Sequence, residues 1–125
     1  MALTQAKSKR AASGKRLKDY RKKKKHETGR IPFLPKIDKT KTKKIRVLSG
    51  SYKSKMLNSE SVNVIDLKTK KATIAKLVKV VDNSANRNFI RRNILTKGTI
   101  VETDKGTVRI TNRPGQEGTV NGVFV

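Results

Sequence analysis

The sequence predicts a mainly β protein, with a small antiparallel β-barrel on the C-terminal side, residues 44–125, and an extended basic arm before it, residues 1–43. Three observations carry this reading. The first is charge: 32 Lys and Arg against 9 Asp and Glu give a net +23, unevenly spread. Residues 1–55 hold 20 Lys and Arg against Asp19, Glu27 and Asp38, net +17, whereas residues 56–125 hold 12 against 6, net +6. The second is apolar content, which before position 40 is nearly confined to Leu3, Leu17, Ile31, Phe33, Leu34 and Ile37 but becomes dense from Ile45. The third is texture, because after Lys44 the apolar residues come in short β-branched runs broken by glycine turns. A chain of this size supports one small core, and these observations place it towards the C-terminus.

From Met1 to about Lys44 no period of 3.6 or of 2 is sustained, and Gly14, Gly29, Pro32 and Pro35 interrupt the chain. Alone in solution this arm is expected to be disordered. Stretched at roughly 3.3 Å per residue, ~40 residues reach on the order of 100 Å, enough to thread into a partner. Within it, "KDYRKKKKHETGR" (residues 18–30) carries seven cations in thirteen residues. The unbroken run Lys22, Lys23, Lys24 and Lys25 repels itself in free solution, so it points to a polyanion. Arg21 and Arg30 flank the run.

"KIRVLSG" (44–50) reads as the first strand, ending at Gly50, with Tyr52 just beyond it as a cap on the barrel or a base-stacking residue. "SVNVIDL" (61–67) sets Val62, Val64 and Asp66 on one side, and "KTKK" turns it into "ATIAKLVKVV" (72–81). "DNSAN" (82–86) is a loop, and "RNFIRRN" (87–93) a helical turn or irregular crossing held by Phe89 and Ile90. Strands follow at about 99–103, 107–111 and 119–124, separated by Lys97-Gly98, Asp104-Lys105-Gly106 and Arg113-Pro114-Gly115, where glycine supplies positive φ. Closing these strands into a barrel removes exposed edges.

No cysteine and one histidine, His26, leave no thiolate metal site, no disulfide framework and no cofactor expectation. The nine carboxylates are scattered, and no phosphate-loop pattern Gly-x-x-x-x-Gly-Lys-Ser/Thr occurs, so an enzyme is not expected. "MALTQAKSKR" lacks the apolar region of a secretory signal, no apolar run reaches 18 residues, and the arm has no amphipathic helical stripe, so no membrane is expected, and without a catalytic constellation no small-molecule substrate is expected either.

Three stretches bear a more specific likeness. "SKRAASGKRLKDYRKKKKHETGR" (8–30), "RRNILTKGTIVET" (91–103) and "VRITNRPGQEGTVNGVFV" (108–125) resemble, in order and spacing, the archaeal and eukaryotic type of ribosomal protein eight of the small subunit, a family unrelated to its bacterial namesake. The compact length is similar to the archaeal form. The resemblance implies a structural protein in the cytoplasm, within the ribosome, whose barrel rests on 16S-type ribosomal RNA and whose arm runs into it beside neighbouring small-subunit proteins. Its arm motif falls on Ser8, Lys9 and Arg10, on Ser13, Gly14, Lys15 and Arg16, and on Lys22 to Lys25 with Glu27, Gly29 and Arg30. Two departures stand out: Lys15 replaces a glycine, and the family's Arg-Gly-Gly-Asn at the start of the barrel is here Leu48, Ser49, Gly50 and Ser51, which implies a looser or differently shaped contact.

The expected RNA-binding set is thus Lys9, Arg10, Ser13, Gly14, Lys15, Arg16, Tyr20, Arg21, Lys22, Lys23, Lys24, Lys25, His26, Gly29, Arg30, Lys43 and Lys44, joined from the barrel by Arg91, Arg92, Lys97 and Arg113. Arg91 and Arg92, being adjacent, cannot both enter a small core. Two rival readings of the same charge are a pre-ribosomal assembly factor and a DNA-compacting protein.

Overall fold

A computed structural model of the chain describes residues 8–125 and the backbone of residues 3–4. It divides into two compact units, one up to Pro32 and one over Phe33–Val125.

In the first unit β1 (Leu3–Thr4) pairs antiparallel with β2 (Thr28–Gly29). Between them residues 9–17 make a tight hairpin. The Ala11 carbonyl accepts from Gly14 N–H at 2.9 Å, Ala11 N–H donates to the Lys15 carbonyl at 2.9 Å, and Arg10 bridges Arg16. Gly14 sits at φ +80°, the left-handed residue that this three-residue loop requires. A 3-10 turn, Lys25–Glu27, closes the lysine run.

The second unit begins with residues 33–43, which the charge pattern had grouped with the arm. Pro35 is buried, and its carbonyl accepts from Leu95 N–H at 2.8 Å. β3 (Lys36–Ile37) and β4 (Lys41–Arg46) join β5 (Tyr52–Ser59) in a three-stranded sheet of order β3-β5-β4. The expected first strand, 44–50, therefore lies three residues earlier, and β5 is a strand that sequence reasoning missed. Tyr52 does not cap the barrel: it is 68% exposed and opposite Arg46.

The barrel consists of β6 (Ser61–Ile65), β7 (Ala72–Asp82), β8 (Ile100–Thr103), β9 (Gly106–Ile110) and β10 (Asn121–Phe124), with α1 (Asn88–Arg91) crossing between β7 and β8. The strands close in the order β10-β6-β7-β8-β9. Four pairings are antiparallel as expected, but the seam between β10 and β6 is parallel, with Gly122 opposite Val64.

Alternation puts Val62 and Val64 inside and Asn63 and Ile65 outside. β7 starts in the same phase with Ala75 and Leu77 buried, but a register shift between Leu77 and Lys79 restores burial at Val80 and leaves Val78 and Lys79 both exposed. Met56, Leu95, Val101, Val108, Ile110 and Val120 complete an aliphatic core. Asp66, expected beside Val62 and Val64, instead shapes the next turn, accepting from Lys68 N–H at 2.9 Å and Thr69 Oγ1 at 2.8 Å. The Lys68 amide, then the Thr69 hydroxyl, hold its carboxyl below the ordinary aspartate value.

One buried polar residue fastens the crossing. Asn83 Nδ2 donates to Thr99 Oγ1 at 3.0 Å and Thr96 Oγ1 at 3.1 Å, while its Oδ1 accepts from Ala85 N–H at 3.0 Å. The 82–86 loop and the 94–99 segment are thereby tied together.

Three glycines close the C-terminal block by allowing close approach. A Cβ at Gly115 would lie 3.0 Å from the Phe33 carbonyl oxygen, and at Gly118 2.8 Å from Ser54 Cβ. At Gly122 it would collide with Val108 Cγ1 and come within 2.9 Å of the Arg109 carbonyl oxygen. Gly98 and Gly106 have the positive φ expected of them, whereas Gly115 does not and is needed for space.

Candidate nucleic-acid interface

In the first unit, the lysine run is held open by its own carboxylate. Glu27 takes a forked contact from Arg21, 2.6 Å to Oε1 and 2.9 Å to Oε2, and Oε2 also accepts from Lys24 N–H at 2.8 Å. Arg21 Nε donates to Tyr20 Oη at 2.8 Å, and the guanidinium lies 5.1 Å from the centre of that ring. Arg21 first, and the Lys24 amide second, hold the Glu27 carboxyl down at about 2. The result is a small loop with one charge pair at its neck and Lys22, Lys23, Lys24 and Lys25 all exposed around it.

Arg21 thus differs from the lysines beside it, since both terminal nitrogens are engaged within the unit. Tyr20 is 89% exposed. Lys25, His26, Gly29 and Arg30 come together with Thr28 around a shallow hollow of about 570 Å³. On the hairpin Lys9, Arg10, Ser13, Gly14, Lys15 and Arg16 are all exposed, with Arg10 and Arg16 directly opposite one another.

In the second unit the main basic surface is the β4–β5 ribbon. Residues 39–59 contain Lys39, Lys41, Lys43, Lys44, Arg46, Lys53 and Lys55 and no carboxylate at all. Lys43 stands opposite Lys55 and Ile45 opposite Lys53, which puts three lysines on one face. Lys55 Nζ lies 4.8 Å from the centre of the Phe33 ring. Lys44, opposite Ser54, and Arg46, opposite Tyr52, point the other way. Lys43 and Lys44 were expected, but Lys41, Arg46, Lys53 and Lys55 were missed, because they become neighbours only once β5 is recognised.

Arg113 joins this surface. It lines a groove of about 640 Å³ with Lys53, Ser54, Gln116, Glu117, Gly118 and Thr119. The groove exists because Met56 N–H donates to the carbonyls of Pro114 (3.0 Å) and Glu117 (3.2 Å), drawing the 113–117 turn onto β5. Arg91 on α1 and Arg92 after it are both exposed, as is Lys97 in the turn before β8, and none of the three lines that groove.

Like charges set opposite one another in a two-stranded ladder are destabilising, and both units contain such a pair. Each unit therefore carries a basic surface of its own, the exposed lysine loop in the first and the carboxylate-free ribbon in the second. The family model for ribosomal protein S8e matches residues 4–125, spanning both units.

The chain belongs to the ribosomal protein S8e family.

S8e relatives that bear the name small ribosomal subunit protein eS8 are found in several archaea. The protein of Methanobrevibacter smithii is 42% identical over 125 residues, 100% of each chain. That of Methanocella arvoryzae is 48% identical over 121 residues, 97% of each. That of Nanoarchaeum equitans is 50% identical over 105 residues, 84% of this chain and 83% of its own. In the stretch Leu48-Ser49-Gly50-Ser51, Ser49 takes φ +64° and Gly50 φ +76°. The backbone there takes a left-handed course that glycine adopts without cost and serine does not.

Proposed function

We propose that this S8e chain is a structural, non-catalytic constituent of the small ribosomal subunit, resident in the cytoplasm, that binds 16S-type ribosomal RNA with the lysine loop and hairpin of its first unit and the basic ribbon of its barrel unit. Neighbouring small-subunit proteins share the site. The observation that carries the reading is the stretch 39–59, with seven cations, no carboxylate and a direct Lys43–Lys55 pairing, in an S8e chain. Such a ribbon is in conflict with itself until phosphates take up the charge, and counterion release then drives binding. Each phosphate neutralised contributes roughly −0.7 to −0.9 to the slope of log K against log salt, so about ten contacts lose several orders of magnitude from low to high salt.

Sedimentation of cell extract at high and low magnesium, with the protein followed by immunoblot, tests the proposal. Co-migration with mature small subunits, and release only at high salt, is the expected result. Recovery only on precursor particles would mean an assembly factor, and recovery with chromosomal DNA a DNA-compacting protein. Either would overturn the proposal.

A further inference from the structure

The β4–β5 ribbon ends in a tip whose composition differs from its legs. Val47 N–H donates to the Ser51 carbonyl at 2.8 Å and closes a loop in which Leu48–Gly50 form a 3-10 turn. Leu48 is 92% exposed at its apex. Just below, Arg46 faces Tyr52 across the ladder, and the Arg46 guanidinium lies against Gly50, 3.6 Å from where a Cβ would stand. An apolar side chain, an aromatic ring and a planar cation therefore stand at one end of a ribbon whose other charged groups are all lysines.

Lysines along the legs neutralise phosphate and need no bases. Leu48 gains nothing from phosphate and Tyr52 only through its hydroxyl, but both gain from the face of an unstacked base, and a guanidinium stacks there too. The deep, narrow major groove of regular RNA duplex does not admit such a tip. Resting on the proposed RNA-binding function, we infer that the ribbon tip, Arg46, Leu48 and Tyr52, docks on an unpaired nucleotide of the ribosomal RNA while Lys43, Lys44 and Lys53 neutralise the phosphates on either side. Stacking fixes where the ribbon sits, and charge supplies the salt-dependent part of the affinity.

The two parts separate experimentally. The full chain is titrated with a transcript of the source organism's small-subunit ribosomal RNA across a range of KCl concentrations, for the parent, a tip variant (Leu48→Ser with Tyr52→Ser), a leg variant (Lys43→Gln with Lys53→Gln) and Tyr52→Phe. All four positions are exposed, and circular dichroism checks that each variant keeps its fold. The tip variant is expected to bind about ten- to a hundred-fold more weakly with the parent's salt slope, since one stacked base contributes that much. Tyr52→Phe keeps the ring and the affinity. The leg variant is expected to lower the slope by roughly 1.5, the share of two phosphates. Parent-like binding by the tip variant, or a tip loss accompanied by a smaller slope, overturns the inference and leaves the RNA-binding proposal standing. So does a tip variant that binds RNA normally yet falls off assembled subunits, because the tip would then dock on protein. A parent chain that binds the transcript no better than duplex DNA overturns both.

Discussion

Gly122→Ala tests the barrel seam most sharply. Gly122 is the second of the four residues of β10, paired with Val64 on one side and Ile110 on the other, and it is buried. A methyl group there collides with Val108 Cγ1 and presses to 2.9 Å on the Arg109 carbonyl oxygen, which is backbone and cannot rotate away. Overpacking of this kind costs about 1–3 kcal/mol, against which alanine recovers roughly 0.5–1 kcal/mol of the entropy that glycine loses in a strand. A net loss of about 1–2 kcal/mol lowers the melting temperature by about 4–16 °C in a unit of this size. Thermal unfolding followed by circular dichroism measures it. Val108→Ala opens space under the same methyl, so the double variant should be less destabilised than the two single changes added together, by about 1 kcal/mol or more. An unchanged melting temperature for Gly122→Ala, or strict additivity in the double variant, would show that the β9–β10 approach is not as tight as described.

Three further outcomes follow from the same geometry. The Glu27 carboxyl is held below its unfolded value, so what its ion pair contributes to the lysine loop is fully present above the ordinary carboxylate range near 4.3 and is lost as the pH falls through about 2. A carboxyl titration by NMR should therefore show a midpoint near 2 for this residue, and a midpoint near 4.3 would mean that Arg21 does not hold it. Ser49→Gly removes a serine from φ +64° and should raise stability by roughly 0.5 kcal/mol, the steric relief less the added chain entropy, visible as a higher guanidinium midpoint; a lower midpoint contradicts the strain. Asn83→Ala leaves Thr99, Thr96 and the Ala85 amide without their shared partner and should cost about 2–3 kcal/mol in denaturant unfolding, whereas a loss under 1 kcal/mol would mean that water replaces it readily.

The strands that form the barrel were legible because each announces itself locally: Val62 and Val64 alternate with polar residues, and Gly98 and Gly106 mark turns. β5 was not. "YKSKMLNS" offers only Met56 and Leu57 beyond its first residue, Tyr52, as hydrophobic residues, and what makes it a strand is distant in sequence, through its pairing with β4 and the carbonyls of Pro114 and Glu117. The placement of 33–43 was hidden for a similar reason, since prolines and lysines give no period, and Pro35 is anchored by Leu95 sixty positions later. Hidden too was the parallel seam, because alternation fixes which face a strand buries but not which neighbour it takes.

The same split runs through the candidate site. Charge alone singled out Lys22 to Lys25, Lys43 and Lys44, but not that Arg21 is held by Glu27, nor that Arg113 meets Lys53 across a groove. The first depends on a turn bringing residues six apart together, and the second on a strand that the sequence did not advertise.

The parallel seam also sets a timetable. β6 is made about halfway along the chain, but its partner β10 follows only roughly sixty residues later, and at about 5–20 residues per second that leaves β6 with one free side for about 3–12 s. Over that interval β7, β8 and β9 can zip up as a meander, leaving two unsatisfied margins that only Asn121–Phe124 can join. Chains halted before Asn121 should therefore be cut rapidly by protease, and resistance should arrive abruptly once Asn121–Phe124 is free to pair with β6 and β9. The basic residues of the first unit are already outside by then, so this chain has its counter-charge seeking contacts available before its barrel exists.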